Sequence, residues 1–137
     1  MVREIVKNPM ILACKSEKAT NSDIQTAKDL YDTVVAHTDH CVGMAANMIG
    51  VHKTILVALI QNKYQIMINP KILSKSRETY QAEEGCLSLS GVRTITRYKS
   101  VTVEYLDMKF RKNRKTFHDF EAQIIQHEMD HFEGILI

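Results

Sequence analysis

Residues 126–131 read Q-H-E-M-D-H, and they carry the sharpest signal in the sequence. It contains an H-E-x-x-H pattern, in which His127 and His131 occupy positions i and i+4. On a helix these positions lie one above the other, so both imidazoles can reach one common point. Glu128 follows about 100° further round the helix, where its carboxylate can approach a water on a metal ion without ligating the metal. The pattern therefore predicts a helix that presents two metal ligands and an acid/base.

Cys86 is the expected third ligand. Salt-bridged histidines on a helix surface can produce the same pattern, whereas hydrolytic zinc and iron sites usually keep three protein ligands and leave one position for water. Cys86 lies in residues 84–88 (E-G-C-L-S), a polar break between predicted strands where a thiolate could face a cleft. An isolated cysteine is more often a small buried hydrophobe, so its neighbours have to decide between the two interpretations. From the residues alone, Cys86 is the best candidate for the third ligand of one divalent transition metal, with His127 and His131 as the other two.

The spacing of apolar residues predicts two helices. One begins with a capping box at Ser22 and Gln25 and continues to about His37. The other is capped by Asp119, carries the H-E-x-x-H pattern and ends at Gly134. Both helices should turn an apolar stripe toward the core.

Strands are predicted between the helices, where β-branched and aromatic residues predominate. The clearest are residues 54–59, 64–69 and 101–107. The dipeptide Asn69-Pro70 and the glycines Gly85 and Gly91 are expected to break the strands. Short strands with two segregated helices indicate the α+β class.

Composition and charge fit one domain spanning residues 1–137. The net charge is +2, with 18 Lys/Arg interleaved among 16 Asp/Glu, which gives no strong field to attract nucleic acid or a membrane surface. A basic cluster at residues 109–115 could be a nucleic-acid patch, but a solvated hairpin or loop is the simpler interpretation. No apolar run approaches the ~20 residues of a membrane span, and the N-terminus does not resemble a signal peptide. We therefore expect a cytoplasmic protein whose three cysteines are thiols or metal ligands.

Three segments, in this order, resemble the motifs of the peptide deformylase family. Residues 41–50 (C-V-G-M-A-A-N-M-I-G) resemble its first motif, G-x-G-x-A-A-x-Q. Residues 84–88 match the second, E-G-C-x-S, and residues 126–131 match the third, Q-H-E-x-D-H. Arg97, after the second motif, adds a weaker likeness. The resemblance is specific, because no other H-E-x-x-H family takes its third ligand from an E-G-C-x-S segment.

The resemblance implies an α+β fold in which the H-E-x-x-H helix packs against small antiparallel sheets. It implies an enzyme that removes the N-formyl group from N-formylmethionyl peptides. The enzyme would act on nascent chains at the ribosome. Neither nucleic acid nor a membrane would be a direct partner. The metal, natively Fe²⁺ and replaceable by Zn²⁺ or Ni²⁺, would be held by Cys86, His127 and His131.

The resemblance also assigns the catalytic and substrate-binding residues. Glu128 would take a proton from the attacking water and deliver it to the departing amine. The backbone N–H of Leu87 would donate a hydrogen bond to the formyl oxygen, and Gly43 and Met48 would contact the substrate.

Position 48 departs from the family pattern, since Met48 replaces a glutamine whose amide donates to the formyl oxygen. A thioether has no N–H, and losing one such donor typically lowers the rate by about 10²–10³. Asn47 replaces the usual proline, and its carboxamide could supply the missing donor. The alternative is that Asn47 faces solvent and the site is weakened. Cys41 replaces the first glycine of the motif.

Met48 leaves other functions open. The main alternative to an enzyme is a deformylase-like protein that binds metal and peptides without useful turnover. The intact ligands and Glu128 argue against it, because a buried carboxylate without a role is unfavourable. A zinc endoprotease would need a further histidine or glutamate after His131, where six residues remain.

Overall fold

The structure, a computed structural model, describes residues 1–86 and 89–137 and has the expected α+β architecture. The helices are α1 (Pro9–Leu12), α2 (Ile24–Ala36) and α3 (Asp119–Phe132). The strands are β1 (Gly43–Ala45), β2 (Ile55–Ile60), β3 (Lys63–Lys75), β4 (Thr79–Cys86), β5 (Leu89–Tyr98), β6 (Ser100–Leu106) and β7 (Lys112–His118). Short 3₁₀ turns lie at Asn21–Asp23 and Ala46–Ile49. In these described ranges, no helix has the length and apolar character needed to span a membrane.

Five strands form one antiparallel sheet in the order β1-β2-β3-β6-β7, and β4 pairs with β5 in a separate two-stranded sheet. Successive side chains of a strand point to opposite faces of the sheet. In β2, Ile55 and Val57 therefore pack in one core cluster with Leu30 of α2, whereas Leu56 packs in a second cluster with Ile125 of α3. The large sheet is thus covered by α2 on one face and by α3 on the other.

The expectation that Asn69-Pro70 ends a strand is wrong. β3 runs through the dipeptide, and its register against β6 shifts between Ile68 and Lys71. Proline lacks the N–H that a ladder requires, and a bulge accommodates it because the extra residue is left unpaired. The Asn69 carboxamide bonds both backbone groups of Ala19, and so fastens the N-terminal segment to the sheet.

The expectation that two glycines break the strands is also wrong. Gly85 lies within β4, where the pairing with β5 shifts register between Glu84 and Cys86. Gly91 lies within β5 at a φ of +86°, in the left-handed region that favours glycine. Both glycines distort the small sheet without interrupting it.

Both predicted helices are present, but neither begins with the predicted cap. The capping box lies two residues earlier than expected, at Thr20 and Asp23, where the Thr20 N–H donates to the Asp23 carboxylate (2.8 Å). The Gln25 side chain instead donates to a carboxylate one turn further along α2. Asp119 is the first residue of α3 and provides no side-chain cap, since its carboxylate lies 3.7 Å from the ammonium of Lys99.

The basic cluster at residues 109–115 forms the connection between β6 and β7 and the first part of β7. The Asp107 carboxylate accepts hydrogen bonds from the backbone N–H groups of Lys109 (2.9 Å) and Arg111 (3.0 Å), which fixes the turn. The cluster therefore lies in a hairpin, and most of its side chains are exposed.

Gly134 follows the end of α3, as predicted, and brings the C-terminal segment against the N-terminal one. Its φ is +76°, and a Cβ added there would lie 2.2 Å from the carbonyl oxygen of Ala13. Only glycine combines this backbone angle with so close an approach.

Gly134→Ala should lower the free energy of unfolding by about 2–4 kcal/mol, because a left-handed alanine costs about 1–2 kcal/mol and the overlap with Ala13 adds to it. Gly91→Ala is the matched control. It has a similar φ, but no described atom lies within 4 Å of the added Cβ, so its cost should stay near 1 kcal/mol. Chemical denaturation measures the free energy of unfolding of both variants. Equal losses of stability would show that the close approach to Ala13 adds nothing to the cost of Gly134→Ala.

Candidate metal centre

The three predicted ligands lie together in the structure. His127 and His131 project from α3, and Cys86 is the last residue of β4. The Cys86 Sγ lies 3.7 Å from Nε2 of His131, which in turn lies 3.2 Å from Nε2 of His127. All three donor atoms lie within 4.8 Å of one another. The two histidines are buried and the cysteine is half-buried, so the donors meet at the base of a cleft.

Glu84 fixes the orientation of His127, one of the predicted ligands. Its Oε1 lies 2.7 Å from Nδ1 of His127. Burial opposes the charge of Glu84, but hydrogen bonds from Arg97 and His127 lower its pKa to about 2. An ionised carboxylate can only accept, so Nδ1 of His127 donates this hydrogen bond, which leaves Nε2 as the ring nitrogen that can ligate a metal ion.

Arg97 and Asp130 complete a buried charged network around Glu84. The Arg97 guanidinium donates to both oxygens of Glu84 (2.8 and 2.6 Å) and to Oδ2 of Asp130 (2.6 Å). The side chains of Arg97 and Glu84 are each 4% exposed. This network joins β4, β5 and α3 beside the donor atoms. The sequence alone assigned no role to Glu84, Arg97 or Asp130. Glu84 belongs to the second motif and Asp130 to the third, although neither is a predicted metal ligand.

Glu84→Gln should weaken metal binding by about 10–100-fold, because the residue that orients a ligand loses its charge. It should also lower the free energy of unfolding by about 3–5 kcal/mol, since Arg97 keeps a buried charge with a weakened partner. Glu78→Gln is the control, because it removes an exposed carboxylate from an ion pair with Lys99 and should cost no more than about 1 kcal/mol. Metal titration and denaturation test this, and unchanged metal affinity in Glu84→Gln would exclude the orienting role.

Glu128 lies beside the donors without joining them. Its Oε1 is 3.8 Å from Nε2 of His131 and, among the residues described, has no hydrogen-bond partner. Burial raises the pKa of Glu128 to about 7, although the neighbouring His127 acts to lower it. A carboxyl group with a pKa in this range can accept and release a proton at neutral pH.

The chemistry of the donor set suits a divalent cation. A thiolate and two imidazole nitrogens at these separations place lone pairs against one another, an arrangement that a cation stabilises. Within the described part of the chain, Oε1 of Glu128 and Nδ1 of His131 are buried polar atoms without partners. Buried polar atoms are normally satisfied, and Oε1 of Glu128 lies 3.8 Å from the donor nitrogen Nε2 of His131, so this oxygen indicates that something further belongs in the site. Nδ1 of His131 lies on the other side of the ring and does not bear on the site. Cys86, His127 and His131 therefore form a possible site for a single metal ion.

A cavity of about 190 Å³ opens onto Cys86 and His127. Its walls include Gly43, Met48, Ile124 and Glu128. A Cβ on Gly43 would lie 2.8 Å from Cγ2 of Ile124 and 3.1 Å from Oε2 of Glu128, so only glycine lets β1 pass this close. The two predicted substrate contacts, Gly43 and Met48, thus line the same cavity as Glu128, the predicted acid/base.

Asn47 does not face this cavity, so the hypothesis that its carboxamide replaces the missing donor is wrong. The side chain is buried, and its Nδ2 donates to the carbonyl oxygens of His131 (3.1 Å) and Leu12 (3.4 Å). The opposite amide orientation would place an oxygen against two carbonyls, so these acceptors fix the nitrogen there. The alternative, a solvent-facing Asn47, is wrong for the same reason. Asn47 ties the first motif to α3 and to the N-terminal segment.

Cys41 of the first motif and Leu87 of the second are the remaining motif residues singled out in the sequence. Cys41 is buried, its thiol donates to the carbonyl oxygen of Gly43 (2.8 Å), and burial raises its pKa to about 12. Cys41 is therefore a neutral packing residue near the site. Leu87, the predicted backbone donor, lies outside the described residues.

Comparison with known proteins gives matches over nearly the whole chain. The model of the polypeptide deformylase family matches residues 2–137. A peptide deformylase from Clostridium beijerinckii is 53% identical over 137 residues, which is all of both chains. The structure is similar to a Met-Ala-Ser-bound class I type b peptide deformylase from Acinetobacter baumannii, with a TM-score of 0.90 and 28% identity over 99% of this chain and 97% of that one. It is also similar to an actinonin complex of the Ehrlichia chaffeensis enzyme, with a TM-score of 0.89 and 31% identity over 98% and 86% of the two chains. Because sequence and fold both agree from end to end, this chain belongs to the polypeptide deformylase family.

Proposed function

We propose that this chain hydrolyses the formamide of N-formylmethionyl peptides from nascent chains, and so releases formate and a free methionine amine. Membership of the polypeptide deformylase family gives the reaction. The observation that carries the proposal for this chain is that Cys86, His127 and His131 meet within 4.8 Å beside Glu128. A cavity leads to this point, as a peptide N-terminus requires.

We assign one metal ion to Cys86, His127 and His131, with Fe²⁺ as the native ion and Zn²⁺ or Ni²⁺ as substitutes. Thiolate and imidazole ligands suit each of these ions. A divalent metal held there would polarise the formyl oxygen and lower the pKa of a bound water far enough for hydroxide to form near neutral pH.

Glu128 is assigned the proton transfers. Its carboxylate accepts a proton from the water that attacks the formyl carbon, and then delivers this proton to the amine nitrogen as the C–N bond breaks. Burial supports both steps, since it raises the pKa of Glu128 to about 7 and keeps bulk water from the carboxylate. One residue can therefore act as base and then as acid within one turnover.

The walls of the cavity are assigned to the substrate. Gly43 brings its backbone within reach of a bound peptide, and Met48 and Ile124 provide apolar surface for a methionine side chain. The backbone N–H of Leu87 remains our candidate for the donor to the formyl oxygen. Met-Ala-Ser is bound in the similar Acinetobacter baumannii protein, which supports a peptide ligand of this kind.

We further propose that residues 1–137 act as one domain, in the cytoplasm, on chains emerging from the ribosome. The formyl group is present only on new N-termini, so the enzyme must meet its substrate near the site of synthesis. The small net charge of +2 argues against nucleic acid as a direct partner.

Met48→Gln should raise kcat/KM for formyl-Met-Ala-Ser by about 10²–10³, because it restores an amide donor where negative charge develops on the formyl oxygen. The assay compares wild type and variant after anaerobic loading with Fe²⁺. Met48 lines the cavity next to Cys86, so the new amide would lie beside the reacting group.

Met48→Leu is the control, since it changes the side chain at the same position without adding an N–H. If Met48→Gln is no faster than Met48→Leu, the missing amide does not limit the reaction. If wild type and both variants are inert with the metal bound, the chain is a metal- and peptide-binding protein and the proposed hydrolysis is excluded.

A further inference from the structure

We infer that Gln123 recognises the sulfur of the substrate's methionine side chain, with its Nε2 donating a hydrogen bond to the thioether and Tyr80 holding the carboxamide for this contact. The inference rests on the proposed function and deepens it, because it names a residue that selects methionine inside the cavity. The observation behind it is that Gln123 lines the cavity while its Oε1 is already bonded to the Tyr80 hydroxyl at 2.8 Å.

Gln123 lies one helical turn before a predicted metal ligand. Gln123 and His127 are positions i and i+4 of α3, so their side chains share one face of the helix, and both line the cavity. One turn advances about 5.4 Å along the helix axis. In an N-formylmethionyl peptide, the formyl carbon and the sulfur lie about 5–6 Å apart when the connecting bonds are extended. With the formyl carbon beside the metal ligands, the sulfur therefore reaches the level of Gln123.

Tyr80, on β4, holds the carboxamide of Gln123. Its hydroxyl lies 2.8 Å from Oε1 of Gln123 and 3.4 Å from the carbonyl oxygen of Asp119, so the shorter bond goes to the glutamine. Burial raises the pKa of Tyr80, so the hydroxyl keeps its proton and can donate it. A hydroxyl donor selects the oxygen of the carboxamide, which leaves Nε2 of Gln123 without a partner among the residues that the structure describes.

Gln123 is a polar group among apolar neighbours in this part of the cavity. Val42, Phe120 and Ile124 line the cavity together with it. A side chain that enters between them displaces water from the carboxamide, and a polar group that loses its hydrogen bond costs free energy.

A thioether can compensate for this loss, whereas a hydrocarbon cannot. The sulfur of methionine is a weak hydrogen-bond acceptor. Norleucine has the same length but carries a methylene in place of the sulfur, so it would leave Nε2 of Gln123 without a partner. Gln123 should therefore favour methionine over an apolar side chain of the same size.

NMR titration of the Zn²⁺-loaded protein with Met-Ala-Ser and with norleucine-Ala-Ser tests this inference without turnover. In Gln123→Leu, the Kd of the norleucine peptide divided by that of the methionine peptide should fall by about 2–5-fold from its wild-type value, as expected for the loss of a weak hydrogen bond. Tyr80→Phe, which frees the carboxamide, should lower this ratio as well. Gln81→Leu is the matched control, because Gln81 is an exposed glutamine that follows Tyr80 on β4 and points to the opposite face of the strand. It should leave the ratio at the wild-type value, and the same spectra establish that each variant is folded.

An unchanged ratio of Kd values in Gln123→Leu would overturn the sulfur contact. Equal weakening of both peptides would overturn it too, since Gln123 would then contact the peptide backbone. If Gln123 only joined α3 to β4, its loss would lower the stability of the fold and leave the ratio as it was.

Hydrolysis of formyl-Met-Ala-Ser by the Fe²⁺-loaded wild type, assayed separately, reports on the proposed function. An inert wild type whose Kd ratio still falls in Gln123→Leu would exclude the hydrolysis and leave the sulfur contact in place. A wild type that binds neither peptide would overturn the proposed peptide site and this inference together. Failure of the sulfur contact is therefore distinguishable from failure of the proposed function.

Discussion

His131→Ala should abolish metal binding and lower kcat/KM for formyl-Met-Ala-Ser by about 10³ or more. His131 is 2% exposed, and its Nε2 lies between the other two donors, at 3.2 Å from His127 and 3.7 Å from Cys86. The metal supplies several kcal/mol of charge stabilisation, and each 1.36 kcal/mol of barrier corresponds to a factor of ten in rate. Metal analysis after gel filtration and a formate-release assay measure the two effects.

His118→Ala is the control for this substitution, because His118 is exposed and immediately precedes α3. It should bind one metal per chain and hydrolyse the peptide at the wild-type rate. A His131→Ala protein that is folded, retains one metal per chain and keeps its activity would show that the metal does not lie between these donors.

Glu128→Gln should lower kcat by about 10²–10⁴ while one metal per chain remains bound, since general acid–base catalysis typically contributes this much. The substitution keeps the size of a buried side chain but removes its ability to accept a proton. Because Glu128 is not assigned as a ligand, its loss should separate catalysis from metal binding, in contrast to His131→Ala.

Glu133→Gln is the matched control near the end of the same helix, where the carboxylate is exposed and pairs only with Lys15 among the described residues. It should leave turnover unchanged, since an exposed pair contributes little. Loss of metal together with activity in Glu128→Gln would place the carboxylate among the ligands. Undiminished kcat would remove its role in proton transfer.

α3 and the shared position of its two histidines could be predicted because their determinants are local. The i, i+4 spacing of His127 and His131 fixes which face they share once the segment is a helix, and the glycine at position 134 marks its end. Cys86 is different, since it is 45 residues from His131 in the chain. No periodicity connects it to α3, and the resemblance of three motifs was needed to bring it into the site.

The charged network behind the ligands could not be predicted, because it depends on how three separate elements pack. Arg97 meets Glu84 through the pairing of β4 with β5, and meets Asp130 only because α3 lies against that small sheet. A sequence shows which residues carry charge, but their burial and pairing depend on tertiary contacts.

The wrong expectation for Asn47 has the same origin. The resemblance placed it one position from the missing donor, and a carboxamide there looked suited to the formyl oxygen. The side chain is directed away by two carbonyls that come from distant parts of the chain, at Leu12 and His131. Local errors were smaller, since the capping box was misplaced by only two residues.

Anomalous diffraction from a crystal of the Zn²⁺-loaded protein, recorded on both sides of the zinc edge, tests the metal centre most directly. We predict one strong peak per chain, within bonding distance of the Cys86 sulfur and of Nε2 in both His127 and His131. A peak elsewhere, or a Cys86 sulfur beyond coordination distance with the two imidazoles turned toward solvent, would contradict the metal site and the catalytic roles assigned around it.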